Sequence, residues 1–152
     1  MVDWVTQAHD LLLSSSLSRS ILDQAVAQAV DDNKIALRPK VIEFMDLLSH
    51  HNVPMLVFSA GIADILRQVL ISQMEVEELK ENIHIISNTC IFSPAYPDDN
   101  EELLIGFEDP VFHVLNKRVS EVMNMKPVDS NAHIHEYFNL KDLNCRTNLL
   151  LL

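Results

Sequence analysis

A Ser-Ala-Gly turn is the strongest candidate for chemistry in this sequence. Ser59, Ala60 and Gly61 directly follow an apolar run at residues 53–58, and an apolar helical pattern begins at Ile62. In open α/β sheets ligands bind beyond the carboxyl ends of the strands, where a helix N-terminus presents unpaired N–H groups suited to phosphate. Ser59 adds a hydroxyl donor, and Gly61 lets the backbone approach a ligand. The residue types predict a phosphate-binding turn, while spacing alone favours an ordinary strand-to-helix turn capped by Ser59.

A lysine further along the chain is the second candidate for a phosphate contact. Lys117 lies between an asparagine and an arginine, in a stretch at 111–125 that is compatible with a helix. Its ammonium group could bind a phosphate as a point charge. The local pattern by itself favours a solvated surface lysine, so both interpretations stay open.

The histidines and cysteines do not predict a metal centre. Of seven histidines, the closest pairs lie at 50–51 and 133–135, and no neighbouring carboxylate or cysteine completes either set. Metal sites in proteins need several converging ligands, so we expect no metal-binding residues in this chain. Cys90 and Cys145 lie far apart and are expected to be free thiols in a reducing compartment.

Helices and buried strands alternate in the part of the chain that must position these residues. Periodicity predicts a helix that ends at the serines 14–16, a second capped by Ser20, and a third with Pro39 in its first turn. Short apolar runs at 53–58 and 83–87 are typical of strands in a parallel sheet. The alternation indicates an α/β fold with a mostly parallel sheet.

The remaining segments set the expected domain organisation. A looser region leads to an apolar run at 103–107, and a strand-like run occupies 148–152. The first two helices precede any strand, so we expect residues 1–36 to form a partial helical cap, or lid, beside a partial core at 37–152.

Composition excludes several classes of partner. The chain has 152 residues, of which 48% are hydrophobic and 22% charged, so it can bury a core. Its net charge of −11 argues against a nucleic-acid polymer or an anionic membrane as partner, although a local lysine can still offset one phosphate. No apolar run approaches a membrane span, and no signal peptide is evident, so we expect a soluble cytoplasmic protein.

Five stretches in order resemble the cytosolic type III 5′-nucleotidases, also called pyrimidine 5′-nucleotidases, of the haloacid-dehalogenase phosphatase superfamily. They are residues 1–4 with 8–12, 53–64, 85–88, 106–107 with 113–117, and 136–138 with 148–152. Each stretch is short, but together they cover essentially the whole chain with similar gaps. The resemblance therefore favours a functional role for Ser59 and Lys117.

The resemblance implies a fold and a mechanism. The fold would be a haloacid-dehalogenase-type parallel sheet with a helical cap. The activity would be Mg²⁺-dependent hydrolysis of a nucleoside 5′-monophosphate, either a pyrimidine nucleotide or 7-methylguanosine monophosphate, through an aspartyl-phosphate. Ser59, the backbone of Ala60 and Gly61, and Lys117 would bind the transferring phosphoryl oxygens. Trp4 would stack on the base.

Several family motifs are expected to lie outside this chain. These are the opening Asp-x-Asp-x-Thr motif with the nucleophile and general acid, the cap glutamate that contacts the base, and the final Gly-Asp-Ser-x-Gly-Asp motif. A serine that the family uses near the substrate falls at Ala8. We therefore expect a chain truncated at both ends, without its metal-binding aspartates and without turnover of its own. We also expect it to be poorly stable alone, because the nucleophile strand would sit between those at 54–58 and 148–152.

Two alternatives to a nucleotidase remain. A truncated chain could have a non-catalytic role, binding a second copy or a full-length enzyme through its exposed strand edges. A phosphatase of the same superfamily with another substrate, such as phosphoserine, is the other alternative, although the large helical cap region argues against it. The sequence does not specify the preferred base or the oligomeric state.

Overall fold

A computed structural model describes residues 2–94, 101–109 and 111–113. The elements in chain order are α1 (Val2–Ser14), α2 (Arg19–Asp31), α3 (Val41–His50), β1 (Met55–Ile62), α4 (Ala63–Met74), β2 (Ile83–Asn88), β3 (Cys90–Pro94) and β4 (Glu102–Phe107). The expected strand at 148–152 lies outside the described residues, as does Cys145. Residues 111–113, at the start of the helix-compatible stretch, belong to no helix or strand.

A parallel pair of strands, β1 and β2, forms the centre of the fold. Met55 pairs with Ile83 and Phe58 with Ile86, and all six residues of β2 are buried. Met45 of α3 and Ala63 and Leu70 of α4 pack with β2 in one apolar cluster. Helices on a parallel pair with such a core confirm the predicted α/β class.

An antiparallel hairpin follows the parallel pair and was not predicted. Strand β3 pairs with β4, from Cys90 opposite Phe107 to Pro94 opposite Glu102. The sequence predicted only an apolar run at 103–107 for the second strand, and the looser region before that run contains Pro94. A proline is tolerated at the end of an edge strand, so it does not exclude a short strand here.

The helix starts differ from the predicted ones by two residues. The N-cap of α2 is Ser18 rather than Ser20, and its hydroxyl accepts a hydrogen bond from Ile21 N at 3.3 Å. Ser18 is the N-cap rather than Ser20 because Ser18 is buried and its backbone also forms a β-bridge with Leu103 of β4. Helix α3 begins after Lys40, whose left-handed backbone (φ 68°) separates Pro39 from the first turn. The predicted position of Pro39 was therefore wrong.

Contacts from α2 to α4 and β4 attach the helical N-terminal segment to the strands. Val26 and Val30 of α2 form an apolar cluster with Val69 of α4. Arg19 donates to Glu102 at 2.8 Å. These contacts place the segment against the core, while the division at residues 36 and 37 stays a prediction.

Candidate functional site

The Ser-Ala-Gly segment lies inside strand β1, in a bulge. Between the paired positions 58–86 and 62–88, the three residues 59–61 of β1 lie opposite the single residue Ser87 of β2. Helix α4 begins only at Ala63, and its N-cap is Ile62, which makes no side-chain cap. The alternative of Ser59 as a helix cap is therefore wrong, and the helix starts one residue later than the expected Ile62.

The Ser59 hydroxyl is held by the backbone of its own bulge. Gly61 N donates to Ser59 Oγ at 3.0 Å. A hydroxyl that accepts one hydrogen bond keeps its own hydrogen for donation, and the neighbouring N–H makes that hydrogen a better donor. A Cβ at Gly61 would lie 3.2 Å from Ser59 Oγ, so the glycine permits this close approach. The geometry leaves Ser59 as a donor, while the Gly61 N–H is already engaged.

Two polar side chains at the end of β2 hold the carbonyl groups of the bulge. Ser87 Oγ donates to Gly61 O at 2.8 Å, and Asn88 Nδ2 donates to Ala60 O at 3.0 Å. A bulge disrupts the regular ladder of backbone hydrogen bonds, so its carbonyls need other donors. Both side chains are buried, which limits the competition of water for these part-buried bonds.

Asn88 also holds the segment that follows the hairpin. Its Nδ2 donates to Phe112 O at 3.1 Å, and its Oδ1 accepts from Phe112 N at 2.6 Å. The Phe112 ring is fully buried and meets Phe58 edge-on, with 5.5 Å between ring centroids. The bulge and residues 111–113 are thereby brought together.

A third side chain ties the start of α4 to the hairpin. Asp64 Oδ2 accepts from Cys90 N at 2.9 Å, and Asp64 Oδ1 lies 3.5 Å from Arg19 Nη1. Burial raises the pKa of the Cys90 thiol to about 12, and the adjacent Asp64 carboxylate adds to the shift. Cys90 is therefore a protonated, structural thiol at neutral pH.

A cleft of about 380 Å³ opens between α1, β4 and residues 111–113. Its polar lining includes Thr6, His9, Asp10 and His113. The His9 ring stacks on Phe107, with centroids 3.8 Å apart and planes 16° apart. Burial lowers the pKa of His9, against a smaller opposing effect of Asp10. The cleft can therefore present a neutral imidazole and an aromatic face to a flat ligand.

The other predicted site residues are placed differently. Trp4 lies on α1 with 71% of its surface exposed, so most of its indole faces solvent. Lys117 lies outside the described residues, and its phosphate contact stays a prediction. Within the described ranges, no group of three or more His, Cys, Asp and Glu residues could hold a metal ion.

Sequence reasoning missed the residues that support the bulge. Ser87 and Asn88 were noted only as part of a strand, and Asp64 only as the end of a motif. A usable signal existed, because Ser87 and Asn88 end an apolar strand parallel to the one that carries Ser59. The carboxyl ends of parallel strands meet at one edge of a sheet, so polar residues there come together.

Comparison with known proteins decides the family. Residues 1–151 match the family model described as "Pyrimidine 5'-nucleotidase (UMPH-1)". The chain belongs to the pyrimidine 5′-nucleotidase family. This confirms the resemblance drawn from the motifs.

Named relatives and one solved structure agree with this assignment. The chain is 38% identical over 125 residues to the 7-methylguanosine phosphate-specific 5′-nucleotidase of Homo sapiens, covering 82% of this chain and 37% of that protein. The Rattus norvegicus protein of the same name is 35% identical over 152 residues, covering all of this chain and 42% of that protein. The chain therefore spans about two fifths of the length of these relatives.

The structural similarity is to the crystal structure of cytosolic 5′-nucleotidase IIIB bound to cytidine. The TM-score is 0.55 at 29% identity, covering 78% of this chain and 35% of that one. The similarity supports the haloacid-dehalogenase-type fold expected from the sequence. No helix in the described ranges is long and apolar enough to cross a bilayer.

Proposed function

We propose that this chain supplies the phosphate-binding bulge of a 5′-nucleotidase, which hydrolyses nucleoside 5′-monophosphates to nucleoside and phosphate. The observation that carries the proposal is the geometry of Ser59, whose hydroxyl accepts from Gly61 N and keeps its hydrogen to donate. Membership of the pyrimidine 5′-nucleotidase family supports the assignment to this reaction.

The role of Ser59 is to donate to a phosphoryl oxygen as negative charge develops on it. A hydroxyl whose oxygen is already held in place needs less reorganisation during the reaction, so it stabilises the transition state more than a freely moving hydroxyl would. Lys117 is the proposed second group and would add a positive charge at the same phosphate. Gly61 allows its own N–H to come close to Ser59 Oγ, and the carbonyl of Ala60 links the bulge to β2. The contacts from the backbone of Ala60 and Gly61 to the phosphate, which the family resemblance implies, stay predictions.

The substrate is proposed to be a pyrimidine nucleotide or 7-methylguanosine monophosphate. Two considerations support this: the names of the relatives, and the cleft in which His9 lies stacked on Phe107. Aromatic faces favour stacking with a flat base. Trp4 is proposed as an additional stacking group, supplied from the exposed face of α1.

A magnesium ion belongs to the mechanism that the family resemblance implies. The described residues do not fit such a site, because they contain no group of three or more suitable ligands. The proposed phosphate contacts of this chain are those of Ser59 and Lys117.

The test measures phosphate release from CMP, UMP, 7-methylguanosine monophosphate and phosphoserine, with and without Mg²⁺. It uses this chain and, in parallel, the longest polypeptide that its message encodes. The proposed function predicts release from the nucleotides and little from phosphoserine by the longest polypeptide. Release from phosphoserine alone would favour another phosphatase. Nucleotide binding without release by either polypeptide would favour the non-catalytic alternative.

A further inference from the structure

Asn88 is a buried amide that touches both segments of the candidate site. It is 1% exposed and lies at the last position of β2. Burying an amide is unfavourable unless its polar atoms find partners, so the partners of Asn88 show what it does. Both of its polar atoms bond to the main chain of other segments, namely residue 60 and residue 112.

The first partner is the peptide group between Ala60 and Gly61. Its carbonyl accepts from Asn88 Nδ2 at 3.0 Å, and its N–H donates to Ser59 Oγ at 3.0 Å. Because a peptide group is planar, fixing the carbonyl direction also fixes the direction of the N–H. Asn88 therefore acts on the Ser59 hydroxyl through one rigid group, without touching the hydroxyl.

The second partner is the main chain of Phe112. Asn88 bonds to both its N–H and its carbonyl, which fixes the position of the backbone there. Phe112 is fully buried, and its ring packs with Ile86 of β2. Lys117 follows five residues later in the sequence.

Ser87 makes a related but simpler contact. Its hydroxyl donates to Gly61 O at 2.8 Å, on the bulge side only. Asn88 bonds to the bulge and to Phe112 with one side chain. Ser87 therefore supports only the bulge, whereas Asn88 supports the bulge and also connects it to Phe112.

We infer that Asn88 is a positioning residue of the site, which holds the Ser59 bulge and residues 111–113 in a single arrangement. The inference rests on the proposed function for its effect on turnover. The structural part of the inference, namely that Asn88 holds the two segments in place, can be tested without measuring turnover.

Two variants test the inference in the longest polypeptide that the message encodes. Asn88→Ala removes all three hydrogen bonds. Asn88→Asp has nearly the same shape and can still accept from Phe112 N, but as a carboxylate it cannot donate to Ala60 O or Phe112 O. We expect kcat to fall about 10- to 100-fold in the folded variants with a smaller change in KM, since small misplacement of catalytic groups has effects of this size.

Asn82→Ala is the matched control. Asn82 also donates from its Nδ2 to a main-chain carbonyl, Val53 O at 3.0 Å, but it does so before the start of β2, away from the bulge. We expect this variant to lose some stability and to keep its kcat. Equal losses of kcat in the Asn82 and Asn88 variants would show that the effect is general, and would overturn the inference.

A double substitution separates positioning from simple destabilisation. If Asn88 acts through Ser59, then adding Ser59→Ala to Asn88→Ala costs much less than the product of the single effects on kcat. Independent, multiplicative effects would overturn the inference.

Hydrogen exchange at the amides of Gly61 and Phe112 gives a readout without turnover. The Gly61 amide should exchange about 10-fold faster in Asn88→Asp, which loses the donor to Ala60 O. The Phe112 amide keeps its acceptor in Asn88→Asp and should exchange faster only in Asn88→Ala. Unchanged exchange at Gly61 in Asn88→Asp would overturn the inference even if Asn88→Ala fails to fold.

The outcomes for the inference and for the proposed function are distinct. Nucleotide hydrolysis that persists unchanged in Asn88→Asp overturns the inference and leaves the proposed function standing. Absence of hydrolysis by the unsubstituted protein contradicts the proposed function. In that case faster exchange at Gly61 in Asn88→Asp still supports the positioning by Asn88, and unchanged exchange there rejects it.

Discussion

Gly61 N lies 3.0 Å from Ser59 Oγ and donates a hydrogen bond to it, within a three-residue bulge of β1. The Ser59 hydroxyl oxygen therefore has a backbone N–H of the protein as its hydrogen-bond donor. This hydrogen bond leaves the hydroxyl hydrogen free to turn towards a ligand. A candidate phosphate donor is thus set before any phosphate arrives.

Replacing Ser59 by alanine removes the proposed donor to the phosphoryl oxygen. We expect kcat for CMP or 7-methylguanosine monophosphate to fall about 100-fold, the usual effect of losing one such donor. Stability should change by less than about 1 kcal/mol, because the Gly61 N–H is exposed and can bond to water. Steady-state kinetics and urea unfolding measure the two quantities. Ser49→Ala in α3 is the control, and an equal loss of kcat there would contradict the assigned role.

Replacing Gly61 by alanine tests the close approach to Ser59. The new Cβ would lie 3.2 Å from Ser59 Oγ, so the hydroxyl must move by a few tenths of an ångström. The backbone of Gly61 has no positive φ, so the change should not strain the main chain. We expect weaker binding of CMP, by about 10-fold, at nearly constant melting temperature.

Gly106→Ala provides the matched control for that substitution. A Cβ at Gly106 would lie 3.8 Å from Ile91 Cδ1, which is ordinary van der Waals contact. CMP affinity, measured by calorimetry, should be unchanged in this variant. Equal affinity of the Gly61→Ala protein and the unsubstituted protein would show that the Ser59 hydroxyl does not need its observed position.

The buried thiol of Cys90 predicts a loss of stability at alkaline pH. Burial raises its pKa from 9.0 to about 12 in the folded chain. Between these values the unfolded thiol releases its proton while the folded thiol keeps it, so the free energy of unfolding falls as the pH rises from 9 towards 12. Urea unfolding at pH 8 and pH 10 measures the slope. In Cys90→Ala the slope should be smaller, and identical slopes would contradict the predicted pKa shift.

The stacked pair in the cleft predicts a titration change at His9. Burial is the main cause of the lowered pKa of His9, and the Phe107 ring covers one face of the imidazole. In Phe107→Ala the pKa should rise towards 6.5, and CMP binding should weaken because a stacking face is lost. NMR titration of the imidazole and calorimetry measure these two effects.

Phe92→Ala is the control for the cleft. Phe92 lies in the same hairpin, but its ring lies beneath the Arg19 guanidinium, 4.2 Å from the ring centroid. The pKa of His9 and the CMP affinity should both stay constant in that variant. A change in CMP affinity with Phe92→Ala but none with Phe107→Ala would place the base elsewhere.

The sequence predicted the α/β class because apolar runs of strand length are a strong local signal. It placed β1 and β2 within a few residues of their observed positions. It did not predict that β1 continues through Gly61, since a bulge depends on hydrogen bonds to another strand. Ser87 and Asn88 supply those bonds, and such long-range partners leave no periodic pattern.

The short hairpin and the helix caps also depend on long-range contacts that the local sequence does not reveal. Ser18 and Ser20 are both suitable caps by residue type, and the choice between them depends on β4, which lies more than 80 residues away. Strand β3 contains five residues and ends in Pro94, so its local signal is weak. Its pairing with β4 is what makes it a strand.

The candidate site was predicted in part. Ser59 and Gly61 were selected by residue type, and the structure joins them by a hydrogen bond. The predicted mode of phosphate binding was different, because the sequence analysis placed residues 59–61 at the N-terminus of a helix and the structure places them in a bulge of β1. The roles of Lys117 and Trp4 rest on the family resemblance and stay predictions.

The most direct test of the central claim is a crystal structure of the longest polypeptide that the message encodes, with CMP or 7-methylguanosine monophosphate bound. We expect a phosphate oxygen about 3 Å from Ser59 Oγ, within hydrogen-bonding distance, and the base in the cleft beside His9 and Phe107. A nucleotide bound with its phosphate away from residues 59–61 would contradict the assignment of this bulge as the phosphate-binding group.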